Sequence, residues 1–233
     1  MSFLDGCGPK LSQRICVKLM LSALALIMLP AVTANDAHAA GGGMKMEGVN
    51  ISGAEWGTAI PGTFGVDYIF PTPTEIDYFS SKGMNTIRVG IWWERIQPAA
   101  NGALEPVYLG RLDSVIKYAT SKGMKVIIDL HNFGEYRGVT IGVPGGQPNS
   151  MFANFWSQIA TKYLNNNKVI FDIMNEPVGN TMTATTWLAS AQAAIDAIRQ
   201  TGNTNLILVP STYWEHPVNF VELNGSVMYK VKD

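Results

Sequence analysis

Two cysteines are all that this chain of 233 residues contains, Cys7 and Cys16, and both lie near its N-terminus. Histidine is nearly as scarce, with only His38, His131 and His216, and the formal net charge is -1. These shortages exclude a disulfide scaffold and leave little material for a zinc site or Cys-His chemistry. No metal and no cofactor is expected. A charge so close to balance lacks the basic surface that a nucleic-acid partner requires. Long apolar runs are also missing, apart from Leu19 to Leu29, which is broken by Pro30 and gives way to Asn35 and Asp36. That run falls short of the roughly 20 residues that cross a membrane.

The same run has the flanks of a secretory signal. Lys10, Arg14 and Lys18 precede it, and Ala37-His38-Ala39 follows with a small-x-small pattern. Residues 1–39 are therefore expected to be a cleaved signal peptide, residues 40–46, with Gly41-Gly42-Gly43, a flexible spacer, and residues 47–233 the functional domain. Cleavage removes both cysteines and His38 and takes the formal charge from -1 to -2. The mature protein is then secreted or periplasmic, free of the membrane, with no obligate protein partner.

The domain is rich in core material, 47% of the chain being hydrophobic. Strand-like runs at about 47–52, 86–91, 125–130, 169–177 and 205–209 alternate with helical patterns at about 74–82, 106–122, 150–164 and 184–200. Ser81-Lys-Gly-Met84 recurs at Ser121-Lys-Gly-Met124, each time between a helix and a strand, with glycine as the helix stop. Single helices between strands imply parallel pairing with right-handed crossovers. Two α/β architectures satisfy this: a doubly wound open sheet, which the length alone favours, and a (β/α)₈ barrel, which needs roughly 200 to 250 residues or more. Against the first, no GxGxxG turn or phosphate loop follows the first strand.

In either architecture the site lies at the carboxyl ends of the strands. The first strand delivers Glu55 and Trp56, the second Arg88 with Trp92 and Trp93, the third His131 and Asn132. The fourth delivers Asn175 and Glu176, the fifth Tyr213-Trp214-Glu215-His216. Indoles match the C–H face of a sugar ring, while amides, arginine and histidine hydrogen-bond hydroxyls, so the set describes a sugar cleft. Glu176 leaves an apolar run at Pro177, where poor solvation favours its protonated form and suits a general acid. Arg88, inside an apolar strand, needs a carboxylate partner.

The segment Val169-Ile-Phe-Asp-Ile-Met-Asn-Glu-Pro-Val178 resembles the acid/base signature of glycoside hydrolase family 5, the cellulase family, and within it the endo-β-1,4-glucanases. Gly48–Gly53, Ile87–Trp93, Asp129–Asn132, Ile141–Gly146 and Phe155–Ala160 resemble further blocks of that family, in order. The resemblance implies a (β/α)₈ TIM barrel and retaining hydrolysis of β-1,4-glucan, with Glu176 as acid/base. It implies that Asn175 bonds the sugar's 2-hydroxyl, that Arg88 keeps the nucleophile ionised and that His131 lines the same subsite. Trp56, Trp93, Asn132, Tyr136 and Trp214 are implied to bind substrate or shape the cleft. The family's nucleophile lies on the seventh strand, whereas this sequence reaches Asp233 after five. Neither Glu215 nor Glu222 matches the nucleophile, so the chain is expected to be a partial barrel with strands six to eight missing. Two alternatives stay open: an inactive sugar-binding remnant and a related β-mannanase or xylanase.

Overall fold

The computed structural model describes residues 46–178, 181–212 and 220–233. The expected signal and most of the spacer lie outside the described residues, as do Tyr213, Trp214, Glu215 and His216. The chain runs β1 (Gly48–Asn50), α1 (Pro73–Ser81), β2 (Thr86–Ile91), α2 (Trp93–Ile96), α3 (Pro106–Ser121) and β3 (Lys125–Leu130). There follow β4 (Glu135–Tyr136), β5 (Val139–Thr140), α4 (Asn149–Lys162), β6 (Val169–Asp172), α5 (Ala184–Gln200) and β7 (Ile207–Leu208). A π-helical turn (Phe220–Gly225) and α6 (Ser226–Met228) complete the described residues.

Local chemistry sets the boundaries. Thr72 caps α1 by accepting from the Glu75 amide, and the Glu75 carboxylate returns a bond to the Thr72 amide; Pro73 fills the first position, whose N–H would have no partner. Glu105 caps α3 by accepting from the amides of Val107 and Tyr108. At the two Ser-Lys-Gly-Met copies, Gly83 and Gly123 take φ of 87° and 86°. Met84 and Met124 then donate back to Phe79 and Ala119, closing each helix before the next strand.

One sheet of five parallel strands has the order β1-β2-β3-β6-β7, every strand beside its predecessor in the sheet. A doubly wound sheet reverses its order partway, so this steady progression is an arc of a (β/α)₈ barrel. The open-sheet alternative that length favoured is thereby corrected. β4 and β5 form a separate antiparallel hairpin beyond β3.

Alternation along the strands divides the sheet into two faces. Ile87, Val89, Ile91, Val126, Ile128, Leu130, Val169 and Phe171 join the hydrophobic core with the inward faces of the helices, including Leu112, Phe155, Trp156, Trp187 and Ala191. The intervening positions turn to the barrel interior and carry Arg88, Gly90, Asp129 and Asp172. The Val169 run is a strand only as far as Asp172, although Ile173 and Met174 remain fully buried beyond it.

Candidate active site

The interior positions meet at one guanidinium. Arg88 Nε donates to Asp172 Oδ2 at 2.8 Å, Nη2 to Asn175 Oδ1 at 3.0 Å and Nη1 to Asn50 Oδ1 at 3.0 Å. Nη2 also lies 3.0 Å from Asp129 Oδ1, an ion pair outside hydrogen-bonding geometry. Two carboxylates from β3 and β6 therefore neutralise the charge that β2 carries inside the barrel. The need for a carboxylate partner was legible in the sequence; that both partners come from the strands themselves was not.

Asp129 turns its second oxygen to His131, 2.7 Å from Nδ1. With Nδ1 donating there, Nε2 remains for a substrate hydroxyl. Burial disfavours the protonated imidazole, but the hydrogen bond and charge of Asp129, joined by the charge of Glu55, outweigh it, and the His131 pKa is raised. Burial pushes the Asp129 carboxyl up as well, resisted by His131 and Arg88. Glu55 accepts from the Gly53 amide at 2.9 Å, and its carboxyl sits so close over Gly90 that an added Cβ there would be 2.9 Å away. Glycine at position 90 is what makes room for it.

Asn175 and Glu176 follow β6 at the same end of the sheet. Asn175 is buried, its amide nitrogen donating to Leu130 O at 2.8 Å while its side chain meets Arg88. Glu176 is partly exposed and takes φ of 41°, a left-handed conformation uncommon outside glycine. Such backbone costs on the order of 1–3 kcal/mol and concentrates at functional sites. Among the described residues no hydrogen bond or ion pair restrains its carboxylate.

Of the residues expected to bind substrate, Trp56 is 56% exposed, in the loop leaving β1. Three others lie beneath the surface, where they shape the cleft from below rather than offer a face to a sugar. Trp93 is fully buried, with Nε1 donating to Gln97 Oε1, so no face is open for stacking. Tyr136 is 2% exposed, packs its ring edge on Trp93 and donates its hydroxyl to Gln97 O. Asn132 spends its amide inside the protein, donating to Glu94 Oε2 and Glu135 O and accepting from the Trp93 amide. These three build the scaffold under the loops. Trp214 lies outside the described residues. Asp129, Asp172 and Asn50 are site groups that no strand-end position announces, whereas Glu55 is one that the first strand delivers; an acid at an interior position of an apolar strand is the available signal for the first two.

The family model of the cellulases, glycosyl hydrolase family 5, matches residues 37–231. The chain belongs to glycoside hydrolase family 5. It is 35% identical over 191 residues to the manganese dependent endoglucanase Eg5A of Phanerodontia chrysosporium, covering 81% of this chain and 49% of that protein. It is 39% identical over 181 residues to endo-beta-1,4-glucanase B of Aspergillus niger, covering 77% of this chain and 53% of the relative. Among solved structures, XacCel5A in complex with cellopentaose superposes with a TM-score of 0.77 at 38% identity, over 80% of this chain and 60% of that one. This family 5 chain thus spans about half the length of the curated relatives it matches, and its five strands are part of their barrel.

Proposed function

We propose that the whole protein is a secreted endo-β-1,4-glucanase that cleaves cellulose-type chains with retention of configuration. The observation that carries this reading is the convergence of Arg88, Asn175, Asp129 and His131 around one charged cluster, directly beside the partly exposed Glu176. Glu176 acts as acid/base: it protonates the glycosidic oxygen as the leaving chain departs, then removes a proton from the incoming water. Asn175, held by Arg88, donates its amide to the 2-hydroxyl of the sugar under attack. His131, oriented by Asp129, meets a neighbouring hydroxyl through Nε2, and Trp56 offers its indole to a sugar ring. The nucleophile is a second carboxylate about 5 to 5.5 Å from Glu176, as retaining hydrolysis requires, and lies outside the described residues. The cellopentaose bound by XacCel5A supports a β-1,4-glucan as the substrate.

In the full-length protein Glu176→Gln is expected to lower hydrolysis of cello-oligosaccharides about a hundred- to ten-thousand-fold, the usual worth of general acid catalysis, while leaving binding in place. Near wild-type turnover would remove Glu176 from this role. A panel of cellulose, mannan and xylan derivatives separates the glucanase from a mannanase or xylanase. Secretion removes residues 1–39, with cleavage after Ala34 as the alternative; the intact mass of exported protein decides between them, and retention of Met1 in a membrane fraction defeats both.

A further inference from the structure

Arg95 is 1% exposed, and among the described residues no carboxylate lies within ion-pair distance of it. A buried cation without a paired anion is costly unless its donors are fully used. Here they go to one loop. Nη1 donates to Ala54 O at 3.0 Å, Nη2 to Gly57 O at 3.3 Å and Ala59 O at 3.1 Å, and Nε to Ala59 O at 3.3 Å. The guanidinium lies 4.6 Å from the Trp92 ring centroid and 4.7 Å from that of Tyr68, an aromatic seat that compensates a cation.

The loop it holds has no secondary structure of its own between β1 and α1 beyond a single bridge, Phe64 to Tyr68. Long loops of this kind in compact domains are characteristically functional. Two glycines let the chain wrap the guanidinium: Gly57 at φ 74° and Gly62 at φ 76°, where an added Cβ would stand 3.4 Å from Nη2 and 3.3 Å from Nε respectively. Tyr108 adds a second donor to Ala54 O at 2.8 Å. Trp56 sits between the clasped carbonyls of Ala54 and Gly57, and it is the most exposed tryptophan among the described residues.

We propose that Arg95 is a positioning residue for substrate: by clasping the carbonyls on both sides of Trp56, it holds that indole at the strand ends as a platform for a sugar ring of the β-glucan. The proposal rests on the glucanase reading above. An apolar residue of equal volume would fill the space at lower electrostatic cost, but would leave the Gly57 and Ala59 carbonyls unbonded and the loop unfixed, Ala54 O keeping only Tyr108. Lysine keeps the charge but, as a point donor, cannot span three carbonyls as the planar fork does.

The test measures cellopentaose affinity by calorimetry in the full-length protein, in a Glu176→Gln background that prevents turnover. Arg95→Lys, Gly57→Ala and Trp56→Ala are each expected to weaken binding roughly tenfold. Adding Arg95→Lys to Trp56→Ala should then cost nothing further, because the platform is already gone. With Glu176 restored, Arg95→Lys should raise KM and spare kcat. If Arg95→Lys shows no cooperative thermal transition, Gly57→Ala carries the test, since it displaces the same loop and leaves the guanidinium intact. Unchanged affinity in either folded variant, or equal weakening by Arg95→Lys with and without Trp56, overturns the proposal while the glucanase reading stands. Failure of the parent itself to bind cellopentaose sinks that reading and takes this inference with it.

Discussion

Asp129 does two jobs with two oxygens, pairing with Arg88 on one and holding His131 on the other. The second of these has a pH signature. His131 is raised above its ordinary value, so its pairing contributes stability fully at pH below the unfolded imidazole's value, about 6.5, and loses it as pH rises through the raised folded value. Asp129→Asn removes the acceptor charge, and the His131 resonances are then expected to titrate at lower pH than in wild type. The decline in thermal stability from neutral to mildly alkaline pH should become shallower with them. Unaltered His131 titration in Asp129→Asn would show that burial and Glu55, not Asp129, govern the imidazole. The same residue explains what the sequence concealed. Glu176, Asn175 and His131 end apolar runs and are conspicuous, whereas Asp129 and Asp172 hide at interior positions within them. Trp93, Tyr136 and Asn132 show the converse: aromatic and amide groups just past a strand end can shape a cleft by building the layer beneath it, which the sequence does not distinguish from direct contact with a sugar.

At the scale of elements, the regular pieces were legible because their signals are local. β2 and β3 occupy the expected spans, and the principal helices begin and end at Thr72, Glu105, Gly83 and Gly123, where side-chain caps or left-handed glycines dictate it. Thr72→Ala breaks the reciprocal pair with Glu75 and is expected to destabilise the fold by about 1 kcal/mol in chemical denaturation; a loss below about 0.3 kcal/mol would mean that Pro73 alone sets this helix start. The hairpin of β4 and β5 was not foreseen. Its turn places Arg137 at φ 52° before Gly138 at φ 70°, where such turns favour Asn-Gly, and the Arg137 amide is held by the distant carboxylate of Glu94. A turn fixed by tertiary contact leaves no mark in its own dipeptide. The short α2 and the π-helical turn escaped for a related reason, being too brief to show a period.

At the scale of the molecule, β1 and β7 each have a single strand neighbour among the described residues, and β7 spans only Ile207–Leu208. Such edges are templates for further pairing. Residues 40–233 expressed alone are expected to aggregate and to release little reducing sugar from cellulose derivatives, because double displacement needs a second carboxylate besides Glu176. Size-exclusion chromatography with light scattering, beside an activity assay, checks this; a cooperative monomer with substantial turnover would require Glu215 or Glu222 to be reconsidered as nucleophile. The cluster at Arg88 bears on assembly itself. Its partners Asn50, Asp129, Asn175 and Asp172 arrive with or just after β1, β3 and β6, up to 87 residues away in sequence. Since a one-residue slip sends every side chain of a strand to the opposite face, a misaligned β2, β3 or β6 would thrust a charge among the helices' apolar side chains and strand its counterion. One guanidinium therefore proofreads the alignment of four strands, and drift in these polar residues would erode the fidelity of folding as well as the chemistry.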